Sequence, residues 1–423
     1  MAGLRRPDPH RFRPRESPRA TSGLRHRPRH LHAGSAACAL APNAGALIAA
    51  RALQGAGGGL AVPLSLTLVS DAFPPERRGT AVGIWGAFSG VAVAFGPLVG
   101  GTIVDGLSWQ WVFWVNVPVG LVAVGLATAK LTESRGLRRR LDLPGLALAA
   151  GAVFALVDAL AQGNQAGWSS PTVLTLLIGG VVLGAAFVSR ERHARQPMLP
   201  LGLFSDTSFS GGCAAQFAMP AVLIGGAFVI PQYLQLVLSQ SPFAAGAGLL
   251  PWTGPVIVIA PLAGRLADQV GERPLIVTGL AAMAAAFAWL GMTLTSTTAY
   301  TSLIALLLLA GLGSAMVFPT AIAAVLRAAP PSQVGVASGA SSTIRQVGAP
   351  FGVAIASAVF AAHGSYATPL TFVHGLRPAL DALALIGLAG ALSALGVKAK
   401  KLTVIPAAAE KSPPLETTLP VNA

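Results

Sequence analysis

The stretch "PPERRGTAVG" (74–83) returns 256 residues later as "PPSQVGVASG" (330–339). The same offset pairs Gly55 with Gly311, Gly57 with Gly313, Pro63 with Pro319 and Gly96 with Gly352. In a chain with 49 glycines, glycine matches arise cheaply; proline matches at one fixed offset do not. The shared frame is a glycine-rich apolar run, a Pro-Pro loop that cannot continue a helix, and a second run of small residues. The chain is therefore read as two copies of one unit.

What surrounds the repeat decides its solvent. Of 423 residues, 53% are hydrophobic and 10% charged, with a mean hydropathy of +0.65. A soluble domain carries about 25% charged residues. A bilayer core needs about 20 apolar residues in a helix. Eleven runs qualify: 44–70, 79–103, 111–130, 143–162, 172–189, 207–231, 244–263, 274–294, 301–324, 336–362 and 378–397. Their internal Gly and Pro are tolerated in a membrane because neighbouring helices re-satisfy the backbone. The expected fold is all-α, a polytopic helical membrane protein.

The net charge of +14 is not a nucleic-acid footprint. Nine arginines against two acids lie in residues 1–32, and basic patches interleaved with aromatics are absent. Cys38 and Cys213 sit in apolar surroundings and read as small core residues, neither a disulfide nor a metal site. Alternate loops are basic: 74–79, 133–140, 189–195, 264–274, 327–335 and the tail "KAKK" (398–401). With Lys130 they hold 16 Lys and Arg, and the opposite loops hold only Arg377. The basic side, and with it the C-terminus, is expected in the cytoplasm. Trp109, Trp111, Trp114 and Trp168 gather toward the other face.

Four motifs carry a resemblance over the chain from about Gly34 onward. "RALQGAGGG" (51–59), "GPLVGG" (96–101), "WQWVFWVNVPVG" (109–120) and "GRLADQVGERP" (264–274) occur in that order. The chain resembles the major facilitator superfamily, whose halves are parallel repeats about an axis along the membrane normal. Within it, the chain is similar to the fourteen-span drug:proton antiporters of the EmrB/QacA type. The motifs look like the arginine motif of the fourth span, the antiporter signature of the fifth, the start of the sixth, and the second-half copy of the cytoplasmic loop motif. Gln110 stands where that family commonly has arginine.

Each motif also has its own physics. Arg51 is a charge inside an apolar run, and such residues face a bundle interior or water, or snorkel to the interface. The resemblance implies a proton relay, with Gln54 one turn along on the same face. Gly96, Pro97, Gly100 and Gly101 let helices approach closely and bend one of them. That suits a seal against proton leak or ordinary small-residue packing. Gly264, Asp268, Gly271 and Arg273 form a tight turn with a carboxylate able to meet an arginine or a helix end. The resemblance implies a gating latch, and the alternative is a bland charged loop. Arg345 and Gln346 lie mid-helix and are assigned to the proton or substrate pathway. Asp158 lies in one of two extra spans and is expected at the periphery or an interface.

The domain reading is a basic Arg/Pro-rich tail (1–32), an incomplete first transporter half (33–130), a linker with two extra spans (131–206), a six-span second half (207–402) and a cytoplasmic tail (403–423). The offset calls for a partner of "GRLADQVGERP" at 8–18, where "DPHRFRPRESP" stands instead. The first half is therefore expected to lack two and a half spans, through a frame change upstream of about Ala33 or in a genuinely short chain. No enzyme constellation, metal motif or G-x-x-x-x-G-K-[ST] phosphate loop occurs, so no catalytic residue, cofactor or metal is expected. The resemblance implies a proton-coupled carrier of small amphipathic molecules in a bacterial cytoplasmic membrane. Its partners would be substrate, protons and lipid, and it would act as a monomer. The alternatives are a metabolite permease of the same superfamily and a non-transporting product of a damaged gene.

Overall fold

A computed structural model describes residues 33–72, 75–130, 142–194, 197–330 and 333–399. Among them the chain is helical with no strand. It runs through α1 (33–39), α2 (Ala44–Ala72), α3 (Pro75–Gly106), α4 (Trp111–Trp114) and α5 (Asn116–Lys130). A hairpin of α6 (Leu143–Ala166) and α7 (Pro171–His193) follows, then a 3₁₀ turn at Leu201–Ser205. The rest is α8 (Thr207–Leu236), α9 (Pro242–Ala247), α10 (Leu250–Thr253), α11 (Pro255–Val270), α12 (Glu272–Thr293), α13 (Tyr300–Ala328), α14 (Val334–His363) and α15 (Pro369–Ala394). The tail 1–32, the loop 131–141 and the tail 400–423 lie outside the described residues, as do the readings made on them.

Eight helical stretches among the described residues are long and apolar enough to cross a membrane: α6, α7, α8, α9–α11 as one 29-residue stretch, and α12 to α15. The three remaining expected spans coincide with α2, α3 and α4–α5.

The helix starts follow from local chemistry. Ser170, Ser241 and Thr368 cap α7, α9 and α15 through their hydroxyls, each followed by proline at the first helical position. Proline has no N–H to orphan there. Thr368 and Thr371 close a reciprocal capping box. Two expected spans are broken where proline falls inside. Pro251 and Pro255 cannot donate to the carbonyls four residues back, and the chain divides at Gly248–Leu249 and Gly254. Pro118 likewise leaves Trp114 without its partner, and α4 stops at Val115, with Asn116 Nδ2 donating to Val112 O at 3.2 Å.

The main core lies among α8 to α15. α12 packs between α13 and α15, and α8 runs against α13, α14 and α15. Trp252, Phe287, Tyr233, Leu280 and Met283 are buried at its centre, with Trp252 and Phe287 rings 5.6 Å apart. The Tyr233 hydroxyl, buried at an apolar core, donates to Thr295 O at 2.9 Å. Gly279 and Gly313 bring α12 and α13 together. A Cβ on Gly313 would stand 2.4 Å from Gly279 O. The opposite surface is apolar: Leu385, Leu388 and Leu392 of α15, Ile178, Val181 and Val182 of α7, and Trp289 and Met292 of α12 are exposed. So much outward apolar surface marks a membrane-facing bundle.

Two ion pairs tie helix ends outside the spans. Arg190 grips Asp142 through Nε and Nη2, with contacts of 2.8–3.1 Å, joining the two ends of the α6–α7 hairpin. Lys398 Nζ lies 2.5 Å from Asp206 Oδ2, and Asp206 also accepts from Ser208 N at the start of α8. The hydrogen bond from Lys398 holds the Asp206 carboxyl below its ordinary value. A depressed folded-state value stabilises above the unfolded-chain pKa, about 3.9, and this contribution is lost as pH falls through the lower folded value. The Tm of the detergent-purified chain should therefore drop on acidification below about pH 4, and the drop should be shallower in Asp206→Asn. Superimposable Tm–pH profiles for the two proteins would remove this pair from the acid response.

Candidate functional site

α1 lies directly on α2. A Cβ on Gly34 would stand 2.8 Å from Gln54 Cα, so only glycine admits this crossing. The approach assembles a polar cluster in an apolar setting. Gln54 is 9% exposed. Its Oε1 accepts from the Arg51 guanidinium at 2.5 Å and from the Cys38 thiol at 3.8 Å. Its Nε2 donates to Ser35 Oγ at 2.7 Å. Arg51 also lies over the Phe113 ring of α4, 5.8 Å from its centroid. Thus α1, α2 and α4 converge on one guanidinium, held by a charge-assisted hydrogen bond and a ring face. The sequence placed Arg51 and Gln54 on one face. The structure joins them and adds Ser35, which no sequence pattern marked. Gln110, three residues before Phe113, is half-buried at the start of α4.

Arg345 belongs to a second cluster. It is half-buried on α14, 5.7 Å over the Phe318 ring of α13, with Nη2 donating to Ser342 Oγ at 3.4 Å. Gln346 next to it is exposed. The two arginines are not repeat partners, since Leu307 stands 256 residues past Arg51. Each nevertheless rests on a phenylalanine of another helix.

The "GPLVGG" run of α3 meets α9. A Cβ on Gly101 would stand 2.3 Å from Pro242 O, and one on Gly246 would stand 2.4 Å from Pro97 O. Two backbones touch here with no side chain between them. Gly96 and Gly100 face open space, so the structure uses Gly101 and Pro97 of the four expected residues in this contact. Thr253 Oγ1 adds a hydrogen bond to Ala94 O at 2.7 Å.

The loop motif forms the turn between α11 and α12. Gly271 has φ +88°, a conformation that other residues adopt only under strain, and its N–H closes α11 on Ala267 O. Gly264 has open space around it, and no ion pair to Arg273 occurs among the described residues. The charge contact comes from across the bundle. Arg327, in the last turn of α13, lies 2.7 Å from Glu272 and 3.8 Å from Asp268. Glu272 lies inside the quoted motif, but no sequence pattern marks it and Arg327, 55 residues apart, as partners. Glu272 is 4% exposed and Arg327 half exposed. Removing Arg327 leaves a buried carboxylate without its cation, at about 1–3 kcal/mol. Arg327→Met should lower the Tm of the purified chain, and Glu272→Gln/Arg327→Met should recover much of the loss. Equal Tm for Arg327→Met and the parent would show the pair to be inert.

Asp158 is half-buried in α6 and accepts from Gln162 Nε2 at 2.8 Å. α6 packs on α14 as well as on α7, and Asn164 Nδ2 donates to Ala358 O of α14. The α6–α7 hairpin is thus attached to α14 through α6. Among the described residues no group of His, Cys, Asp or Glu is arranged to hold a metal.

Comparisons with known proteins bear on this arrangement. The chain is 36% identical over 331 residues to the tetracenomycin C resistance and export protein of Streptomyces glaucescens, covering 77% of this chain and 61% of that protein. It is 36% identical to the puromycin resistance protein of Streptomyces alboniger, covering 80% and 68%. To the methylenomycin A resistance protein of Streptomyces coelicolor it is 32% identical, covering 85% and 74%. A crystal structure of peptide transporter POT in complex with sulfate superposes with a TM-score of 0.61 at 19% identity, over 89% of this chain and 80% of that one, which speaks to the fold alone. The chain spans 61% of the length of the first of these relatives. The Major Facilitator Superfamily profile matches residues 31–353 and 212–417. With eight helical stretches among the described residues able to cross a membrane, these matches make the chain a member of the Major Facilitator Superfamily.

Proposed function

We propose that the chain is a proton-coupled secondary transporter of the fourteen-span EmrB/QacA type. It would export small amphipathic, drug-like compounds across a bacterial cytoplasmic membrane, as a monomer with its C-terminus inside. Its working parts would be the first half within 33–130, the linker hairpin within 131–206 and the second half within 207–402.

The observation that carries this reading is the Arg51–Gln54–Ser35 cluster. A guanidinium bonded to a buried amide that is itself bonded to a hydroxyl is a polar path in an apolar helix pair. Such paths serve ion or proton movement in membranes. Arg345 would supply a second positive point for substrate or coupling charge. The α3–α9 contact supports a seal between halves, and the Arg327–Glu272–Asp268 group supports a latch at the basic side. The relatives' names, resistance to and export of antibiotics, favour drug-like cargo.

The test is transport in everted membrane vesicles from a drug-sensitive bacterium expressing the full chain. Puromycin and tetracenomycin C serve as probes. Uptake into everted vesicles that needs a pH gradient and stops with a protonophore supports the proposal. A chain stably inserted in the membrane that moves neither compound under a gradient overturns it.

A further inference from the structure

Arg345 lies eleven residues into α14, about 16 Å along it at 1.5 Å per residue. Phe318, under its guanidinium, lies ten residues before the end of α13, about 15 Å along that helix. Both distances run from the helix ends beside the basic loops. Ring and cation therefore meet near the middle of a hydrocarbon core about 30 Å thick. Arginines snorkel to the interface from helix ends, and this position is far from either end of α14.

The cation has no counter-charge. A guanidinium carries five N–H donors in a planar fork. Among the described residues those of Arg345 meet only Ser342 Oγ, at 3.4 Å. α8, α10, α13 and α14 contain no acid. The acids of the other helices packed on α13 and α14 are engaged elsewhere. Asp158 of α6 accepts from Gln162, and Asp268 and Glu272 of α11 and α12 face Arg327. Asp381 of α15 lies against Gly291, where an added Cβ would stand 2.5 Å from its Oδ1. Among the described residues none of α2 to α5 packs against α13 or α14. The pair is not sealed either, since Arg345 is only half-buried and Phe318 and Gln346 are exposed. A cation at this depth pairs with an anion or marks a pathway. This one is reachable, and the chain around it supplies no anion.

We propose that Arg345 and Phe318 form a binding point for an acidic aromatic compound, one that bears a carboxylate on a flat apolar ring. The carboxylate would take two parallel hydrogen bonds from the guanidinium fork. The ring of the compound would rest against the exposed part of the Phe318 ring. The site deepens the reading of Arg345 as a pathway residue and rests on it, and it names the class of compound that the residue would hold.

Isothermal titration calorimetry of the full chain in mild detergent at about pH 7, where a carboxylic acid is ionised, tests it. The probes are naphthalene-2-carboxylate, its neutral carboxamide and the corresponding aminomethyl cation, with empty micelles as the blank. The carboxylate should bind saturably, at least about tenfold more tightly than the carboxamide, and the cation more weakly than either. Arg345→Gln should bring the carboxylate to the level of the carboxamide. Phe318→Leu should weaken both alike. An arginine with a structural role only would instead lower the Tm on replacement and leave the ratio of the two affinities unchanged. Should Arg345→Gln fail to fold by circular dichroism, Arg345→Lys keeps the charge without the fork and should lose much of the preference. No saturable binding of the carboxylate, equal binding of carboxylate and carboxamide by the parent, or a preference that survives the Arg345 variants overturns the site. A chain that prefers the carboxylate through Arg345 but transports nothing in vesicles keeps the site and counts against the transport reading. Gradient-driven transport by a chain with no such preference overturns the site alone.

Discussion

Gly352→Ala should be among the most damaging single-atom additions in this chain. A Cβ at Gly352 would stand 1.9 Å from Ala221 O and 2.6 Å from both Ala221 C and Cα. All three are backbone atoms of α8, so no side chain can rotate away. One turn earlier, Gly348 meets Phe217 O in the same way, at 2.2 Å. The helices α8 and α14 must therefore part along their closest contact. Overpacking of this kind costs about 1–3 kcal/mol, and a rigid backbone contact belongs at the upper end. Gly101→Ala should behave similarly at the α3–α9 contact, where Pro242 O stands 2.3 Å away. Gly100→Ala should be neutral or stabilising, because nothing lies within 4 Å and alanine is the better helix former by about 1 kcal/mol. The measurement is the Tm of each purified variant in one detergent. A Gly352→Ala protein as stable as Gly100→Ala would mean that the α8–α14 contact is looser than drawn.

Arg51→Ala should strongly reduce gradient-driven efflux in vesicles where the parent chain shows it. Its guanidinium makes the charged hydrogen bond of the cluster, a contact worth about 1.5–3 kcal/mol, so a fall of about ten- to a hundredfold is expected from that bond alone. Arg51→Lys keeps the charge but loses the planar fork that meets Gln54 and lies over Phe113, so it should retain only part of the rate. Gln54→Leu should also impair efflux, because it strips Arg51, Ser35 and Cys38 of their shared partner at once. An Arg51→Ala chain with parental efflux would make Arg51 a snorkelling residue and remove it from the pathway. If the parent shows no efflux, the transport proposal fails before the role of Arg51 is reached.

Much of the bundle was legible without coordinates. Apolar runs of about 20 residues separated by polar loops allow only helices in a bilayer, because every backbone N–H and C=O must be satisfied within the segment. The prolines at constant offset exposed the repeat. The Ser241-Pro242 and Thr368-Pro369 starts were missed by apolar length alone: the last span was expected at 378–397, yet α15 begins nine residues earlier at Pro369, where Thr368 caps it. The breaks near Gly248, Gly254 and Val115 were less legible, since a proline inside an apolar run is tolerated in some helices and divides others.

The site was legible only as single letters. Arg51 stands out as a charge among alanines and leucines, and the structure leaves it exposed on α2 with its guanidinium turned to Gln54. Ser35 does not stand out, because a serine among small residues looks like packing until Gln54 Nε2 is found 2.7 Å away. Gly96, Pro97, Gly100 and Gly101 carry the motif alike in sequence, yet of these four only Gly101 and Pro97 touch α9, since a helix presents one face to each neighbour. Glu272 finds its cation 55 residues further on, at Arg327. By itself, the sequence determined the solvent, the helical class, the repeat and the residues that are expensive to bury, because each follows from composition and local spacing. Only the tertiary structure decided which of those residues share a hydrogen bond, which glycines carry a backbone contact and which carboxylate meets which cation. Those outcomes depend on how helices far apart in the chain approach one another, a distance that no local pattern records.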